Sequence, residues 1–498
     1  MLRRFLFAVI LSVFFTATCF SRITFSDITV SAGTGGPAGK DETGGHGVMF
    51  ADADKDGLAD LYITMIFEKP MPDLFFRNLG NNTFANEGRG RQIADFDGGS
   101  HGACWADLDN DGDYDLVNGT TWDRPDYPNH NNIFRNNGDG TFTEVTPPCM
   151  RERREGTRGV ICFDADNDGD LDIFCVSGWM GSGDDAAERN EIYENKGNLC
   201  FAAIKSDPLY DCPAGQGASD TDYDGDGDID VIACNRDGDL NIVRNDGGFN
   251  RFTMIEPASI GIRHRAYSGV TTADIDSDGD LDMILVDADD KGHLYYNDGD
   301  GTFTFGRSFS EIDGYMAGLA DLDNDNDLDL VFAGDEKSYL NDGTGVFVNG
   351  PSIPVSGIND PRAIAFADVD NDGDMDFAVG VKRSRNRLFR NDYVGKNNWL
   401  KVRLISPSGQ AGAFGAKVKI YPAGKGRGRR SPLLGLREAR SNYGYLGQDD
   451  PVLHFGCGSH KSVAVVIVFL DGTEATASDI SANQTIVVEG SSIKHDRH

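Results

Sequence analysis

A nine-residue aspartate loop recurs seven times along this chain and limits its fold more than any other feature. Six copies follow the pattern D-x-D-x-D-G-x-x-D, and one copy has Asn326 in place of the glycine. Successive copies begin 47 to 58 residues apart, which predicts one repeat architecture in place of about three separate domains. In chain order, loops 1 to 7 occupy residues 52–60, 107–115, 164–172, 222–230, 274–282, 321–329 and 368–376.

The residue types in each loop predict calcium binding. Carboxylates at positions 1, 3 and 5 can converge, position 6 allows a sharp turn, and the position-7 carbonyl and the position-9 carboxylate complete an oxygen shell. Position 12 is never glutamate, which excludes EF-hands. A solvated turn is the alternative for one copy, but six loops with this many carboxylates need counter-cations. We therefore expect about seven structural Ca²⁺ ions. The predicted ligands are Asp52, Asp54, Asp56, Leu58 and Asp60; Asp107, Asp109, Asp111, Asp113 and Asp115; Asp164, Asp166, Asp168, Asp170 and Asp172; Asp222, Asp224, Asp226, Asp228 and Asp230; Asp274, Asp276, Asp278, Asp280 and Asp282; Asp321, Asp323, Asp325, Asp327 and Asp329; and Asp368, Asp370, Asp372, Asp374 and Asp376.

The sequence around the loops predicts an all-β, seven-bladed propeller. Each loop is followed by a short apolar run, and most repeats then contain a hairpin with a turn such as Asn-Gly-Asp-Gly. Four strands in about 50 residues make one propeller blade. The seventh repeat lacks its last strand, and residues 23–30 match the missing piece. We expect this N-terminal strand to complete the last blade and remove a free sheet edge.

These residues resemble two known families. Phe-Ala-Asp-Val-Asp-Asn-Asp-Gly-Asp-Met-Asp at 366–376 and Leu-Phe-Arg-Asn at 388–391 are similar to the FG-GAP/VCBS repeats found in integrin α heads. This resemblance covers residues 22–395 and implies calcium loops on one face of the propeller. Residues 396–490 resemble the ASPIC/UnbV domain, through Asn398-Trp-Leu, Ser441–Gln448 and Leu453–Gly456. Together they resemble the cartilage acidic protein family, without its EGF-like module, and predict a small β-sandwich-like C-terminal domain followed by a tail at 491–498.

The first 21 residues predict a secreted protein, and the net charge limits the partners that it can bind. Arg3 and Arg4 precede an apolar run and small residues, as in a cleaved signal peptide, so we expect a secreted chain without a transmembrane segment. The net charge of −34 disfavours nucleic acid as a partner. We expect a monomer. Asn81, Asn118 and Asn483 are glycosylation sequons, and the eight cysteines beyond residue 21 are either disulfides or buried thiols.

The charge reverses in residues 396–440, which contain eleven lysines and arginines and one acid, Glu438. We expect this basic segment to dock on the acidic propeller. Binding of an acidic glycan or another polyanion is the alternative. Lys425–Arg430, where glycine alternates with basic residues, is predicted to be a loop.

No catalytic motif emerges from the sequence. Gly98-Gly-Ser-His-Gly102 matches G-x-S-x-G but leads into a strand, so we assign no nucleophile there. His46 and His101 precede loops 1 and 2 at matching positions and are expected to pack, with ligand or metal binding as the alternative. The sequence favours an extracellular binding or adhesion module for a protein or glycan ligand. The alternative is an exported enzyme acting on polysaccharide, with Trp122, Tyr127 and Trp179 stacking on sugars.

Overall fold

The computed structural model describes residues 23–35, 45–66, 72–94, 99–121, 130–151, 156–178, 190–213, 215–235, 238–310, 312–424 and 432–496. The predicted signal peptide, Trp122, Tyr127, Trp179 and Lys425–Arg430 lie outside the described residues.

Seven four-stranded antiparallel sheets carry the repeats, and we number them repeat sheets 1 to 7. The chain begins with β1 (Phe25–Asp27) and α1 (Thr29–Ala32). Repeat sheet 1 contains β2 (Val48–Ala51), β3 (Asp60–Ile63), β4 (Leu74–Asn78) and β5 (Phe84–Asn86). Repeat sheet 2 contains β6 (Ser100–Ala106), β7 (Asp115–Thr120), β8 (Asn132–Asn136) and β9 (Phe142–Glu144), and α2 (Pro148–Arg151) follows it. Repeat sheet 3 contains β10 (Thr157–Phe163), β11 (Asp172–Ser177), β12 (Glu191–Asn195) and β13 (Phe201–Ile204), followed by α3 (Pro208–Asp211).

The remaining repeat sheets have the same meander. Repeat sheet 4 contains β14 (Gly217–Thr221), β15 (Asp230–Cys234), β16 (Asn241–Asn245) and β17 (Phe252–Ile255), with a 3₁₀ turn at Pro257–Ile260. Repeat sheet 5 contains β18 (Tyr267–Ala273), β19 (Asp282–Asp287), β20 (Gly292–Asn297) and β21 (Phe303–Phe309). Repeat sheet 6 contains β22 (Ala317–Ala320), β23 (Asp329–Phe332), β24 (Lys337–Leu340) and β25 (Val348–Ser352). Repeat sheet 7 contains β26 (Pro361–Ala367), β27 (Asp376–Val381), β28 (Arg387–Asn391) and β1.

The first strands of the repeat sheets form a closed ring. β2 contacts β6, and the contacts continue through β10, β14, β18, β22 and β26 back to β2. Side chains on both faces of these strands are buried, because each sheet packs between two neighbours. Trp105 of β6, for example, is fully buried against Tyr62 and Phe75 of repeat sheet 1. The all-β propeller fold predicted from the sequence is confirmed.

The N-terminal strand closes the last repeat sheet, as predicted. β1 pairs antiparallel with β28, with Phe25 opposite Asn391. The Phe25 ring packs edge-on against Phe377, with 5.5 Å between ring centroids. Just beyond β1, the Ile28 N–H donates to the Leu388 carbonyl at 3.0 Å. The first residues of the propeller therefore protect the edge of its last sheet.

A buried asparagine ties each repeat sheet to its neighbour. The side-chain amide of Asn195, at the end of β12, donates to the Leu171 carbonyl in its own loop at 3.1 Å and to the Leu108 carbonyl in the preceding loop at 2.9 Å. Asn78 makes the equivalent bond to Val369 and so closes the ring between loops 1 and 7. The sequence analysis had no role for these residues, although each ends a recurring apolar-Arg-Asn or related string. The seven equivalent residues are Asn78, Asn136, Asn195, Asn245, Asn297, Asn341 and Asn391.

The C-terminal domain contains two packed four-stranded sheets and an inserted pair of short strands. The strands are β29 (Asn398–Ile405), β30 (Lys417–Pro422), β31 (Gly435–Glu438), β32 (Tyr443–Gly444), β33 (Gly447–Gln448), β34 (Leu453–Gly458), β35 (Ser462–Val468), β36 (Glu474–Ser481), β37 (Gln484–Glu489) and β38 (Ser492–His495). One sheet has the order β34-β29-β37-β38 and the other β31-β30-β35-β36. Apolar residues such as Val402, Ile467 and Ile486 share one core, which gives the predicted sandwich-like arrangement.

Residues 440–450 of the C-terminal domain enter the centre of the propeller, and we call them the channel segment. β32 pairs antiparallel with β14, and β33 pairs parallel with β2, so this segment adds strands to the inner edges of two repeat sheets. Tyr445 and Leu446, between the two short strands, are almost completely buried. The sequence analysis used this segment only as a family motif and did not predict its insertion.

The cysteines are free thiols in the described structure, so the disulfide expectation is wrong and the buried-thiol alternative holds. Six of the eight are buried and fill space as small apolar side chains, whereas Cys149 is half-buried and Cys200 is exposed. Burial raises the pKa of the Cys234 thiol, which disfavours its reactive thiolate form.

We predict that Asn195→Ala lowers the free energy of unfolding by about 2–3 kcal/mol, because it leaves two buried carbonyls without a donor. Urea unfolding of the calcium-saturated protein measures this change. Asn137→Ala is the matched control, because Asn137 is exposed in the hairpin after β8, and we expect a change below about 0.5 kcal/mol. Equal stability of the two variants would contradict a structural role for the buried asparagine.

Candidate metal-binding loops

Each aspartate loop connects the first and second strands of its repeat sheet, so all seven lie at one end of the ring. Position 1 directly follows the first strand, and its carboxylate accepts the position-6 N–H, as from Gly112 to Asp107 at 2.9 Å. Position 6 has a left-handed backbone, with φ of 85° at Gly112. Asn326 has φ of 93°, so loop 6 keeps the same turn without glycine.

Carboxylate oxygens of different loop positions converge within each loop. In loop 1, oxygens of Asp52, Asp54 and Asp56 all lie within 4.8 Å of one another. In loops 2 to 5 the equivalent groups come from positions 1, 3 and 9, as in Asp107, Asp109 and Asp115. Seven groups of this kind occur among the described residues. The spacing is short enough for one cation to contact several oxygens of one group.

Buried carboxylate oxygens without hydrogen-bond partners test whether these loops fit a cation. A buried charged oxygen that lacks a partner is costly, and a cation in the loop removes that cost. Six loops contain such oxygens at position 1 or 3. They are Asp52 Oδ1, Asp54 Oδ1, Asp109 Oδ1, Asp166 Oδ1, Asp222 Oδ1, Asp274 Oδ2, Asp368 Oδ1 and Asp370 Oδ1. The donor set is entirely hard oxygen, so the residues fit Ca²⁺.

Position 9 has a second role that the sequence did not reveal. Both oxygens of Asp172 accept backbone N–H groups, one from Asn195 at 2.7 Å and one from Ala165 at 2.9 Å. Asp60 and Asp376 bind the corresponding N–H groups in the same way. Position 9 therefore joins the loop to the buried asparagine of the third strand, while one of its oxygens stays near positions 1 and 3 in loops 2 to 5.

Burial and neighbouring carboxylates raise the pKa values of several loop aspartates. Burial is the main cause at Asp107 and Asp164, where the pKa rises to about 7, and the other loop carboxylates add to it. In loop 6, burial and three neighbouring aspartates raise the pKa of Asp325 to about 9. A bound divalent cation would act in the opposite direction and favour the charged form.

The basic segment of the C-terminal domain docks on these loops, as predicted. Lys401 Nζ lies 2.6 Å from Asp368 Oδ2, and the Arg403 guanidinium lies 2.9 Å from Asp52 Oδ2. Each cation contacts a position-1 oxygen and leaves the other oxygen of that aspartate, the one without a partner, on the loop side.

Loops 4 and 2 are also contacted from the C-terminal domain. Lys417 Nζ lies 2.5 Å from Asp222 Oδ2 in loop 4. In loop 2 the Ala411 N–H donates to Asp107 Oδ2 at 2.8 Å. The C-terminal domain therefore covers the face on which the aspartate loops lie.

An asparagine at position 4 links loops 2, 3, 6 and 7 to the next loop around this face. The Asn110 amide donates to Asp170 at 2.7 Å, Asn167 donates to Asp228 at 2.6 Å, and Asn324 donates to Asp374 at 2.7 Å. Asn371 of loop 7 reaches the Gly57 carbonyl of loop 1 at 3.1 Å. These bonds couple the conformation of one loop to that of its neighbour.

The other sequence candidates lie elsewhere. Ser100, the serine of the G-x-S-x-G match, is fully buried and its hydroxyl donates to Asp73 at 2.7 Å, which supports leaving it out as a nucleophile. His46 and His101 pack ring against ring with 4.2 Å between centroids, as expected, at the end of the ring away from the loops.

One Asp–His–Ser arrangement escaped the sequence analysis. In repeat sheet 5, His293 Nε2 lies 2.8 Å from Asp287 and His293 Nδ1 lies 2.9 Å from the Ser308 hydroxyl. The spacing of these three residues along the chain does not match the sequence motif of a known triad, so a motif search does not find them. Because His293 and Ser308 are cross-strand partners, sheet pairing alone brings them together.

We predict that Lys417→Met destabilises the protein by about 3 kcal/mol, because Asp222 loses the Lys417 cation and the buried Glu438 keeps only Arg440. Urea unfolding measures the loss. Lys494→Met is the control with the same change in charge, since Lys494 is exposed and pairs only at the surface with Glu489. A loss no larger than in the control would contradict the importance of this contact for docking.

Comparison with protein families supports both predicted parts of the chain, the repeats and the C-terminal domain. The family described as FG-GAP-like repeat matches residues 122–175, 222–285, 274–332 and 321–379, which include loops 3 to 7. The family described as ASPIC and UnbV matches residues 407–494. Loops 1 and 2 lie outside the matched ranges but share the sequence pattern of the others, and each also contains a group of three convergent carboxylates.

Curated relatives include three proteins named cartilage acidic protein 1. The one from Mus musculus is 24% identical, with 89% of this chain and 73% of that protein covered. The Homo sapiens protein is 23% identical over 80% of this chain and 64% of its own length. The Xenopus tropicalis protein is 27% identical over 65% of this chain and 43% of its own length. The chain thus spans less than two thirds of two of these relatives.

Similar solved structures include BBS1N in complex with ARL6DN, soaked with mercury, and Sqt1 of Saccharomyces cerevisiae. The first is 13% identical with a TM-score of 0.43, covering 71% of this chain and 93% of that chain. The second is 11% identical with a TM-score of 0.40, covering 72% of this chain and all of that chain.

Proposed function

We propose that this chain, which carries FG-GAP-like repeats followed by an ASPIC and UnbV domain, is a secreted, calcium-stabilised module that binds extracellular protein or glycan ligands. The observation that carries the calcium part is the set of buried, unpartnered carboxylate oxygens in six loops. The loop residues predicted as ligands would hold about seven ions, one in each loop. Calcium in this role is structural, because the loops join the repeat sheets to each other and to the C-terminal domain.

Secretion and matrix binding rest on the relatives and on the sequence of the N-terminus. The curated relatives are named for cartilage, a tissue rich in extracellular matrix. The first 21 residues have the pattern of a signal peptide. All helices in the described part of the chain are four residues long, far short of the ~20 residues that cross a bilayer.

Two of the three sequons are exposed candidates for glycosylation. Asn81 and Asn483 lie on the surface, consistent with an attached glycan. Asn118 is fully buried in β7, and its amide donates to Asp73 and Ser100 at 2.8 Å, so the folded chain cannot present it.

The alternative of an exported enzyme has one observation in its favour, the Asp287–His293–Ser308 arrangement. Such a group serves acyl transfer, whereas polysaccharide hydrolysis uses a pair of carboxylates on either side of the glycosidic bond. Ser308 also lies on β21, the outermost strand of its sheet, where it faces solvent. Binding therefore remains the better-supported function.

We predict a large fall in Tm when calcium is removed with EGTA. Extracellular sites with a Kd of roughly 10⁻⁴ M would each add about 1.4 kcal/mol at about 1 mM calcium, so seven could add about 10 kcal/mol. Differential scanning calorimetry measures the shift. Asp166→Asn with Asp168→Asn in loop 3 should reduce it, whereas Asp139→Asn in an exposed hairpin should leave it unchanged.

The same experiment has a pH dependence with a definite sign. In the calcium-free protein, burial raises the pKa of Asp107, Asp164 and Asp274 from 3.8 to about 7. Their protonated forms stabilise the folded chain fully below pH 3.8, and this stabilisation is lost as pH rises through about 7. The Tm in EGTA should therefore fall between pH 5 and 8, and the calcium effect should grow. A Tm independent of calcium at pH 8 would contradict the proposal.

The ligand is tested by binding the secreted protein to arrays of glycans and matrix proteins, with calcium and with EGTA. We expect retention on at least one ligand class in calcium, and its loss in EGTA as the propeller loosens. The enzyme alternative is tested by screening the same protein for ester hydrolysis, with Ser308→Ala as the control. Hydrolysis that disappears in this variant, together with no retained ligand, would overturn the binding function.

A further inference from the structure

The end of the ring away from the aspartate loops forms a distinct surface that we call the channel mouth. The first strands of the repeat sheets all run from this end toward the loops, so residues at their starts surround the opening. The channel mouth consists of His46, His101, Arg158, Gln216, Tyr315, Arg362, Lys382 and, from the channel segment, Tyr445.

Tyr445 forms the floor of the channel mouth. The channel segment crosses the ring from the loop side, and the Tyr445 ring packs edge-on against His101, with 5.9 Å between centroids. Its hydroxyl donates to the Gln216 side-chain oxygen at 3.3 Å. The Tyr315 ring lies beside it at a tilt of 36°, with 6.0 Å between the ring centroids. The opening is therefore closed from below by aromatic rings and is shallow.

Three cationic side chains surround this floor, although the chain as a whole carries a net charge of −34. Arg158 donates to Gln216 at 3.0 Å, and the Arg362 guanidinium lies 4.3 Å from the centre of the Tyr315 ring. Burial and the nearby Arg362 lower the pKa of Lys382, so the cations are close enough to oppose one another. Asp360, which accepts from Arg362 at 2.5 Å and also pairs with Arg383, is the carboxylate among the described residues that offsets this charge.

Two buried donors of this surface have no hydrogen-bond partner within the described structure. His46 Nδ1 is buried and unpartnered, and so is Arg362 Nε. Burial and the surrounding cations lower the pKa of His46 and His101 well below 6.5, so both imidazoles are neutral. His101 uses its Nδ1–H for the Arg158 carbonyl at 2.8 Å. A neutral imidazole at His46 can still donate one N–H to a ligand.

We propose that the channel mouth binds an oxyanion, a carboxylate or sulfate group of an acidic ligand. Arg362 and Lys382 supply positive charge, Arg158 adds a third cation, and the unpartnered imidazole of His46 can supply an N–H donor. The half-buried Tyr315 ring offers apolar surface to the group that carries the anion, and the buried Tyr445 ring closes the site beneath it. This site deepens the proposed function, on which it rests, by assigning an acidic ligand class to the binding activity. It lies away from the calcium loops and is not itself a metal site.

Isothermal titration calorimetry of the calcium-saturated full chain in low-chloride buffer tests this site with sodium sulfate, sodium glucuronate and glucose. We expect saturable binding of sulfate or glucuronate and none of glucose. Binding of sulfate alone identifies a bare anion as the ligand chemistry, and tighter binding of glucuronate identifies an acidic sugar. Lys382→Ala should weaken binding about tenfold. Lys494→Ala, which makes the same change in charge on an exposed surface of the C-terminal domain, should leave it unchanged.

Arg362→Gln is the second variant, and a Tm equal to that of the wild type in calcium shows that it has folded. We expect it to abolish binding that Lys382→Ala only weakens. No saturable binding of either anion, or equal binding by the Lys382 and Lys494 variants, would overturn the proposal. Because the calcium-dependent Tm is measured on the same samples, loss of anion binding with a normal calcium response rejects this site alone. Loss of both rejects the proposed function as well.

Discussion

The burial of aspartate clusters at one end of the ring is the constraint on which the rest of the structure depends. Position 9 holds the asparagine that reaches the neighbouring repeat sheet, as in Asp172 and Asn195. Position 1 receives the cations of the C-terminal domain, as in Asp368 and Lys401. Ring closure, domain docking and the candidate metal centres therefore use the same carboxylates. A change in the charge of these carboxylates would therefore affect ring closure, domain docking and metal binding together.

The C-terminal domain joins the two ends of the propeller. Its basic side chains cover the loops, while the channel segment passes through the ring and places Tyr445 at the opposite opening. At the level of β32 and β33 the channel segment therefore occupies part of the centre of the ring. A ligand at the channel mouth would contact residues from both domains, so the domains form a single functional unit.

Much of this architecture could be predicted from sequence because each repeat has local signals. The aspartate spacing, the apolar runs and the Asn-Gly-Asp-Gly turns specify loops, strands and hairpins within about 50 residues. The N-terminal strand could be placed because the seventh repeat lacked one. The basic composition of residues 396–440 also gave the docking partner correctly, since opposite charges were the main signal available.

The remaining features depend on contacts between residues far apart in the chain. The pairing of Gly444 with Ala218 and the approach of Arg362 to Tyr315 have no local pattern that could reveal them. The asparagines were visible in the sequence, but their bonds to a neighbouring loop depend on the ring. The cysteine count suggested disulfides, whereas the structure forms none among the described residues and buries six of the eight cysteines.

The calcium content of the purified protein tests the central claim most directly. Equilibrium dialysis against about 1 mM free calcium, traced with radioactive calcium, counts the ions bound to each chain without removing the free ion. The account predicts about seven calcium ions, one in each loop, because the described residues contain seven groups of at least three convergent carboxylates. It also predicts their stepwise loss in EGTA. Fewer than four ions on a folded chain would contradict the claim that calcium neutralises the buried carboxylates.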